Sequence, residues 1–309
     1  VLTKTSTGTA VFTVGKAGTW AIKATLGAQT AEGTVSVTAS GQSKSLTLGY
    51  ANVFGVCWDT SNSSTALTRL TPSTDPYGLV TKSVTTEPKP AVGTGKGSSP
   101  FDSYAPWSGM KECNLNNYGT VTAWKGDSGF ARTNDYTMVF VPEFYVAQKR
   151  SGTKQYFYVS DKTKSGFTKH PGSGKFIARY VFSGGTASVS GQSPVVNITR
   201  ATARSRTNSN VSKFHLYDFA TYCAIIFLYI VEFADWNSQN KIAYGRAAGQ
   251  STAVTSGKTD TMVYHTGTAG SRISDGTAAC QYRWIENLWG NVQQWVDGFN
   301  ADGTTGYYC

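Results

Sequence analysis

Three histidines, His170, His215 and His265, are the only imidazoles available for acid–base chemistry. A serine-type hydrolase needs one of them beside a nucleophile and a carboxylate. No serine sits in a G-x-S-x-G turn. His170 precedes Pro171 in a turn, His215 lies just ahead of a helix start, and His265 falls in a loop, so all three read as structural or exposed. Glycoside hydrolysis needs paired carboxylates, and the 18 acidic residues are spread thinly. Glu143 follows a strand and Glu286 sits in an aromatic motif. The reading preferred for both is a buried carboxylate bonding loop backbone. Asp297, Asn300 and Asp302 offer oxygens to a calcium ion, but their spacing is not that of an EF-hand, and Asp and Asn in a Gly-rich loop are ordinary turn formers. No metal or cofactor is expected.

The cysteines are Cys57, Cys113, Cys223, Cys280 and Cys309. None forms a C-x-x-C pair, which excludes a zinc ribbon or a thioredoxin-type motif. An odd, widely spaced set fits free and mostly buried thiols, as in a protein folded in a reducing bacterial cytoplasm. The chemistry that remains is recognition. Trp107, Trp124, Tyr264, Tyr307 and Tyr308 lie in loop-rich stretches where rigid rings give large contact area at small entropic cost. A place in the core or at an interface is at least as good a reading for each.

These residues need a scaffold, and the composition is that of a β-rich one. The chain has 309 residues, 33 of them glycine, 13% aromatic and only 15% charged. Its net charge of +10 comes from scattered Lys and Arg. The densest patch, Arg200 to Arg206, holds three arginines without interleaved aromatics, so nucleic-acid binding is not expected. An anionic cell-wall glycan would still gain from the overall sign. No signal peptide opens the chain, which starts at Val1 within a pattern, so residues are expected before it. The most apolar stretch, Phe219 to Phe233, is too short to span a membrane.

Residues 1–50 alternate with period two in runs near Thr9–Val14, Thr19–Ala24, Thr34–Val37 and Lys44–Leu48. This predicts a small all-β sandwich anchored by Trp20, incomplete at its N-terminus. Residues 51–309 form the second domain. Thr137–Val141 reads as a buried strand paired with Tyr156–Val159, and Lys175–Phe182 as another strand. Residues 59–100 and 246–280 read as loops. One long helix begins after an Asp218 N-cap and is apolar nearly all round, hence buried. The chain ends soon after Asp297 without a closing strand, and a C-terminal portion is expected to be missing. The fold class expected is α+β.

Leu288-Trp289-Gly290-Asn291-Val292-Gln293-Gln294-Trp295-Val296-Asp297 resembles the GNVWEW-type signature of the formylglycine-generating-enzyme branch of the C-type-lectin fold, which also holds the variable proteins of diversity-generating retroelements. In that signature Trp289 and Trp295 anchor the core, Gly290 allows a tight turn, Asn291 bonds nearby backbone, and Asp297 closes the motif. A wider set of segments resembles tail and head-fibre proteins of phages of gut Firmicutes: Phe101–Tyr104, Cys113–Leu115, Val141–Tyr145, Gly166–Pro171, Val189–Gly191 and Glu232–Lys241. Lys16–Trp20 resembles the Ig-like module of such proteins. The resemblance implies an Ig-like sandwich followed by a C-type-lectin-like domain with one long buried helix and much irregular loop. It also implies a homo-oligomer, expected to be a trimer, located on the virion with other virion proteins as neighbours. An oxidase of that branch would use a copper-binding cysteine pair, for which only Cys280 and Cys309 are candidates, and neither sits in a matching motif.

The function expected is therefore a phage adhesin that binds a host-surface glycan or protein and is not an enzyme. The alternatives are a capsid- or tail-decoration protein and, behind it, a glycan-degrading tail enzyme.

Overall fold

The computed structural model describes all residues except 1, 6–8, 27–28, 47, 135, 184–187, 211–213, 250–251, 302–305 and 309, and describes the backbone alone at 26, 29–30, 208–210, 301 and 306–308. It divides into two compact units, Val1–Ala51 and Asn52–Cys309.

In the first unit Gly18–Leu26 (β1) and Gln29–Val37 (β2) form an antiparallel hairpin. Its alternation sets the face: Trp20 pairs with Val35, Ile22 with Gly33 and Ala24 with Ala31, while Lys23 and Glu32 form an ion pair on the other side. A Cβ on Gly33 would meet Leu46 and Leu48 at 3.0 Å, so those leucines lie against the apolar face. This corrects the expected four-run sandwich. Among the described residues 9–14 and 44–48 there is no strand, and Val11 and Phe12 are exposed. Alternation supplies a face but not a partner, and only the two inner runs find one.

The second unit begins with Val53–Asp59 (β3), Thr68–Arg69 (β4), Ala91–Val92 (β5), Lys111–Leu115 (β6), Val121–Trp124 (β7) and Thr137–Val141 (β8). It continues through Tyr145–Ser151 (β9), Lys154–Ser160 (β10), Thr168–Lys169 (β11) and Lys175–Ala178 (β12). Three helices follow, Arg200–Asn210 (α1), Phe219–Phe233 (α2) and Ser238–Lys241 (α3). The last strands are Gly267–Thr268 (β13), Cys280–Tyr282 (β14), Ile285–Glu286 (β15), Phe299–Ala301 (β16) and Gly306–Tyr308 (β17). They make a five-stranded sheet β11-β9-β10-β3-β4, a four-stranded sheet β12-β8-β6-β7, a four-stranded sheet β15-β14-β13-β5 and a small β16-β17 pair. Pairing is antiparallel except between β13 and β5. The molecule is thus mainly β with few helices.

One expected pairing is wrong. β8 does not pair with β10. It lies between β6 and β12, and β10 pairs with β9 and β3. Pro142 follows β8 directly and cannot donate to a ladder, so the chain leaves one sheet before β9 enters another. The strand read over Lys175–Phe182 stops at Ala178.

α2 carries the core. Asp218 accepts from the Thr221 amide as its N-cap, and Ala234 ends it in the left-handed region. Ala224, Leu228, Ile230 and Val231 are buried against Val56, Val159, Phe144 and Ile285 in one cluster. α1 was not expected: its sequence, RATARSRTNSN, has no apolar stripe, and Ala203 is its one buried residue among those described. No helix among the described residues is long and apolar enough to cross a membrane.

Leu228 is fully enclosed, so Leu228→Ala should cost about 2–5 kcal/mol through lost contacts and a residual cavity. Urea unfolding followed by tryptophan fluorescence measures it. A loss below about 1 kcal/mol would show that α2 is not the packed centre of the unit.

Candidate functional site

At the C-terminal end of α2 a buried carboxylate organises the chain. Glu232 is fully enclosed. Its Oε1 accepts from Ser99 Oγ at 2.7 Å and Arg283 Nη2 at 2.5 Å. Its Oε2 accepts from Tyr282 OH at 2.9 Å and Arg283 Nε at 3.0 Å. Nη1 of Arg283 reaches Asp102 Oδ1 at 2.9 Å. Asp102 also accepts from Tyr264 OH at 2.7 Å and contacts His265 Nε2 at 2.9 Å.

His265 Nδ1 lies 2.8 Å from Thr266 Oγ1. With the Nε2 proton given to Asp102, Nδ1 accepts from the Thr266 hydroxyl. Hydroxyl, imidazole and carboxylate then stand in the order an acyl-transfer enzyme uses. Thr266, however, is only 1% exposed and its oxygen accepts the Arg283 amide, so the hydroxyl has no open side for a substrate. Burial pushes the His265 pKa down, against the raising effect of Asp102. Burial would raise Asp102, but the His265 hydrogen bond and the Arg283 charge outweigh it and hold the carboxyl well below the usual range.

A second ionic cluster lies around β6. Glu112 is enclosed by Arg179 (3.0 Å), Arg132 (2.9 Å) and Lys125 (2.7 Å). Asp260 accepts from Arg179 at 3.1 Å, from Ser190 at 2.6 Å and from Tyr180 at 2.5 Å. Glu286 accepts from the Gly257 and Thr259 amides and the Thr259 hydroxyl at 2.7–2.9 Å, which is the backbone-bonding role expected of it. Glu143 departs from that expectation: it is exposed and bonds Lys169 and Tyr145.

The Leu288–Asp297 segment is held residue by residue. Trp289 packs on the core and donates Nε1 to Ala243 O at 2.9 Å. Gly290 has φ +77°, and a Cβ there would meet the Arg246 amide nitrogen at 2.8 Å, so only glycine fits. Asn291 donates to Val254 O at 3.1 Å and accepts its amide at 2.9 Å. Trp295 is a correction. It is 50% exposed rather than in the core, with Nε1 given to Ile198 O at 2.8 Å. The positive-φ residues Gly290 and Asn291 (φ 62°) turn the chain onto the surface before Trp295 is reached. Asp297 pairs with Arg204 of α1, and its backbone bridges Tyr217 and Phe219 at the start of α2.

Beside this segment opens a cleft of about 1530 Å³. Leu288, Val292 and Trp295 line it from the signature segment, Met138, Phe176 and Ala178 from the β8–β12 sheet, and Ile198, Ala203 and Thr207 from α1 and its approach. Tyr217, Asp218, Lys175 and exposed His215 are also part of the lining. The Lys175–Asp218 ion pair is 3.1 Å.

None of Trp107, Trp124 and Tyr264 lines this cleft. Trp107 is core: it is fully buried against Phe54 and Phe101 and donates to Leu228 O at 3.1 Å. Trp124 is half-buried, edge-on to Phe140. Tyr264 is committed to Asp102, with its ring tilted against His265 at a centroid distance of 4.0 Å. Tyr307 and Tyr308 belong to β17 and pair in register with Asn300 and Phe299, and their side chains lie outside the described residues. Cys113 and Cys280 are buried free thiols, Cys57 and Cys223 are half-buried free thiols, and Cys309 lies outside the described residues. Asp302 also lies outside them. Among the described residues no group of His, Cys, Asp or Glu could hold a metal.

Sequence reasoning missed the cleft because its residues come from six separated stretches, near residues 115–119, 136–138, 175–188, 193–221, 252–253 and 285–295. It missed the Glu232–Arg283 pair because the partners are 51 positions apart. The available signal was a lone Glu in an apolar helix and a lone Arg between Tyr282 and Trp284. Comparison with protein-family models, curated proteins and solved structures finds no match to this chain.

Two outcomes follow from this geometry. Arg283→Met leaves Glu232 buried without its cation and should cost about 3–5 kcal/mol, read by urea unfolding. Wild-type stability would show the pair to be dispensable. His170 is buried against Phe144 and Phe227 and accepts the Gly172 amide at Nδ1. Burial, reinforced by the Lys175 charge, lowers its pKa to about 4. The unfolded chain therefore takes up its proton near pH 6.5 and the folded chain only near pH 4. The stability His170 contributes is complete above about pH 6.5 and is lost on acidification through that window, by at most about 1.4 kcal/mol per pH unit. His170→Phe should flatten the fall; an unchanged pH profile would assign it to other groups.

Proposed function

We propose that this chain is a host-attachment protein of a bacterial-virus particle, whose first unit carries a hairpin of the kind an Ig-like module contains and whose C-type-lectin-like second unit binds its ligand in the cleft beside Trp295. One observation carries the reading: the segment that resembles the lectin-type signature is also the segment that builds the cleft wall. Leu288, Asn291, Val292 and Trp295 all line it.

The chemistry of the walls supports binding. Ligand sites are concave and largely apolar with a few polar groups that fix orientation. Here Phe176, Phe182, Val195 and Leu288 supply the apolar part. Gln293, Gln294 and Asn197 supply amides. The volume exceeds the roughly 300–1,000 Å³ typical of small-molecule pockets, which suits an extended ligand, a glycan chain or a protein loop on the host surface. Catalysis is disfavoured by the commitment of the buried acids and bases to one another. The protein is a homo-oligomer on the virion, its neighbours are other virion proteins, and it takes no nucleic acid and does not insert into a membrane.

The test uses the intact, fluorescently labelled protein and isolated cell envelopes from a panel of gut Firmicutes. Saturable adhesion to at least one envelope is expected, weakened about tenfold by Trp295→Ala, since tryptophans at contact centres dominate binding energy. The exposed control Tyr118→Ala should adhere like wild type. Equal adhesion by Trp295→Ala would move the ligand off the cleft. A protein that tiles the particle and adheres to no envelope is a decoration protein, and release of soluble wall fragments would make it an enzyme.

A further inference from the structure

An aromatic strip leaves the cleft mouth across the first turn of α2. Tyr217 lines the cleft and stands edge-on to Tyr222, with centroids 6.1 Å apart. The rings of Tyr222, Phe219 and Phe299 then run nearly parallel. Phe219 and Tyr222 are 6.0 Å apart at 26°, and Phe219 and Phe299 are 4.8 Å apart at 19°. Tyr222 is 38% exposed and Phe299 36%, high for rings that a core could have taken.

The strip is rigid. The Phe219 amide donates to Asp297 O and the Asp297 amide to Tyr217 O, both at 2.8 Å. The carbonyl of Phe299 accepts Arg200 Nη1 at 2.8 Å. Rings held this way present area without an ordering cost at binding.

Two of the three cations named at the strip are paired with carboxylates, and the third, Arg200, is turned onto the Phe299 carbonyl. Lys175 is paired with Asp218 and Arg204 with Asp297. The polar groups at the neighbouring cleft wall are mostly amides and hydroxyls, among them Gln293 and Gln294, the latter with its Nε2 given to Asn287 O at 2.7 Å and its Oε1 remaining. Parallel rings beside amides complement a ligand with flat C–H faces and many hydroxyls. They do not complement one bearing a dense charge.

We infer that Tyr222, Phe219 and Phe299 form a second subsite of the cleft and that the ligand is a neutral glycan chain, its pyranose C–H faces on the rings and its hydroxyls on the cleft amides. This rests on the cleft reading above for the surface and adds the class of ligand.

The experiment takes the full chain and an envelope to which it adheres, and divides that envelope into a protease-digested arm and an arm stripped of phosphodiester polymers with hydrofluoric acid. Adhesion is expected to survive both. Neutral oligosaccharides released from the same envelope by partial acid hydrolysis, freed of peptide and phosphate, should compete for it. Tyr222→Leu and Phe299→Leu keep apolar bulk but lose the ring and should weaken adhesion about tenfold each, while Tyr222→Trp keeps it. Unchanged thermal midpoints establish that the variants fold. Loss of adhesion after protease means a protein ligand, and loss after acid means an anionic polymer. Either loss, or failure of the oligosaccharides to compete, overturns the glycan assignment while adhesion through the cleft stands. Leucine variants that adhere like wild type while Trp295→Ala is weakened remove the strip from the site. Absence of adhesion to every envelope overturns this inference together with the cleft reading.

Discussion

A carboxylate inside an apolar helix has to be answered, and the answer given to Glu232 fixes the path of much of the chain. Two buried charges are costly to desolvate, and their attraction repays that cost only when the remaining lone pairs are also satisfied. Glu232 therefore needs Arg283, Ser99 and Tyr282 together. Arg283 in turn needs Asp102, which brings Tyr264 and His265 with it. Stretches near residues 100, 232, 265 and 283 are thus pulled to one point. Arg69 ties a fifth, donating to the carbonyls of Val231 (2.9 Å) and Glu232 (2.6 Å) at the helix end where a cation is favoured.

The other end of the helix is managed by different means. Asp218 caps it, and the Asp297 backbone pairs with the chain around it. The signature segment therefore arrives at the helix N-terminus already oriented by Trp289, Gly290 and Asn291. A cleft forms there because the facing β8–β12 sheet and α1 approach the segment without filling the space between. Packing that leaves so large a volume unfilled gives up dispersion contacts, and the walls stay apart because α1 is held by Arg204 and Arg200 at its own edge, not by an apolar face.

What the sequence disclosed follows the range of the forces. α2 and its Asp218 cap were legible because apolar periodicity and a capping oxygen are local. β8 was legible for the same reason, and its partner was not, because pairing is a long-range choice and Pro142 redirected it. The first unit shows the same division: alternation marked Trp20, Ile22 and Val35 as one face, but the runs at 9–14 and 44–48 alternate as well and take no strand among the described residues. α1 was invisible because Arg, Ser, Thr and Asn carry no stripe. The aromatic candidates show how little type says about place: Trp107 and Trp295 are the same residue with opposite fates, decided by whether the chain enters the core or has just been turned out of it at Gly290.

The same division separates stability from recognition. The main acidic clusters, Glu232 with Asp102 and Glu112 with Asp260, are paired inside the frame, while the core reaches the cleft wall only through such residues as Ile177, Ile285 and Leu288. Val292, Gln293, Gln294 and Trp295 stand on a turn whose geometry is set by Gly290 and Asn291 and by backbone bonds, with Trp295 giving its ring nitrogen to Ile198 and Gln294 its amide to the Asn287 carbonyl. Side chains in such positions can change without unpairing a buried charge or opening a cavity, the two mechanisms behind most large losses of stability. Asn291 and Gln294 do both jobs, lining the cleft while bonding Val254 and the Asn287 carbonyl, so on this short segment Val292 and Gln293 are the lining side chains that can change at the least cost to the fold.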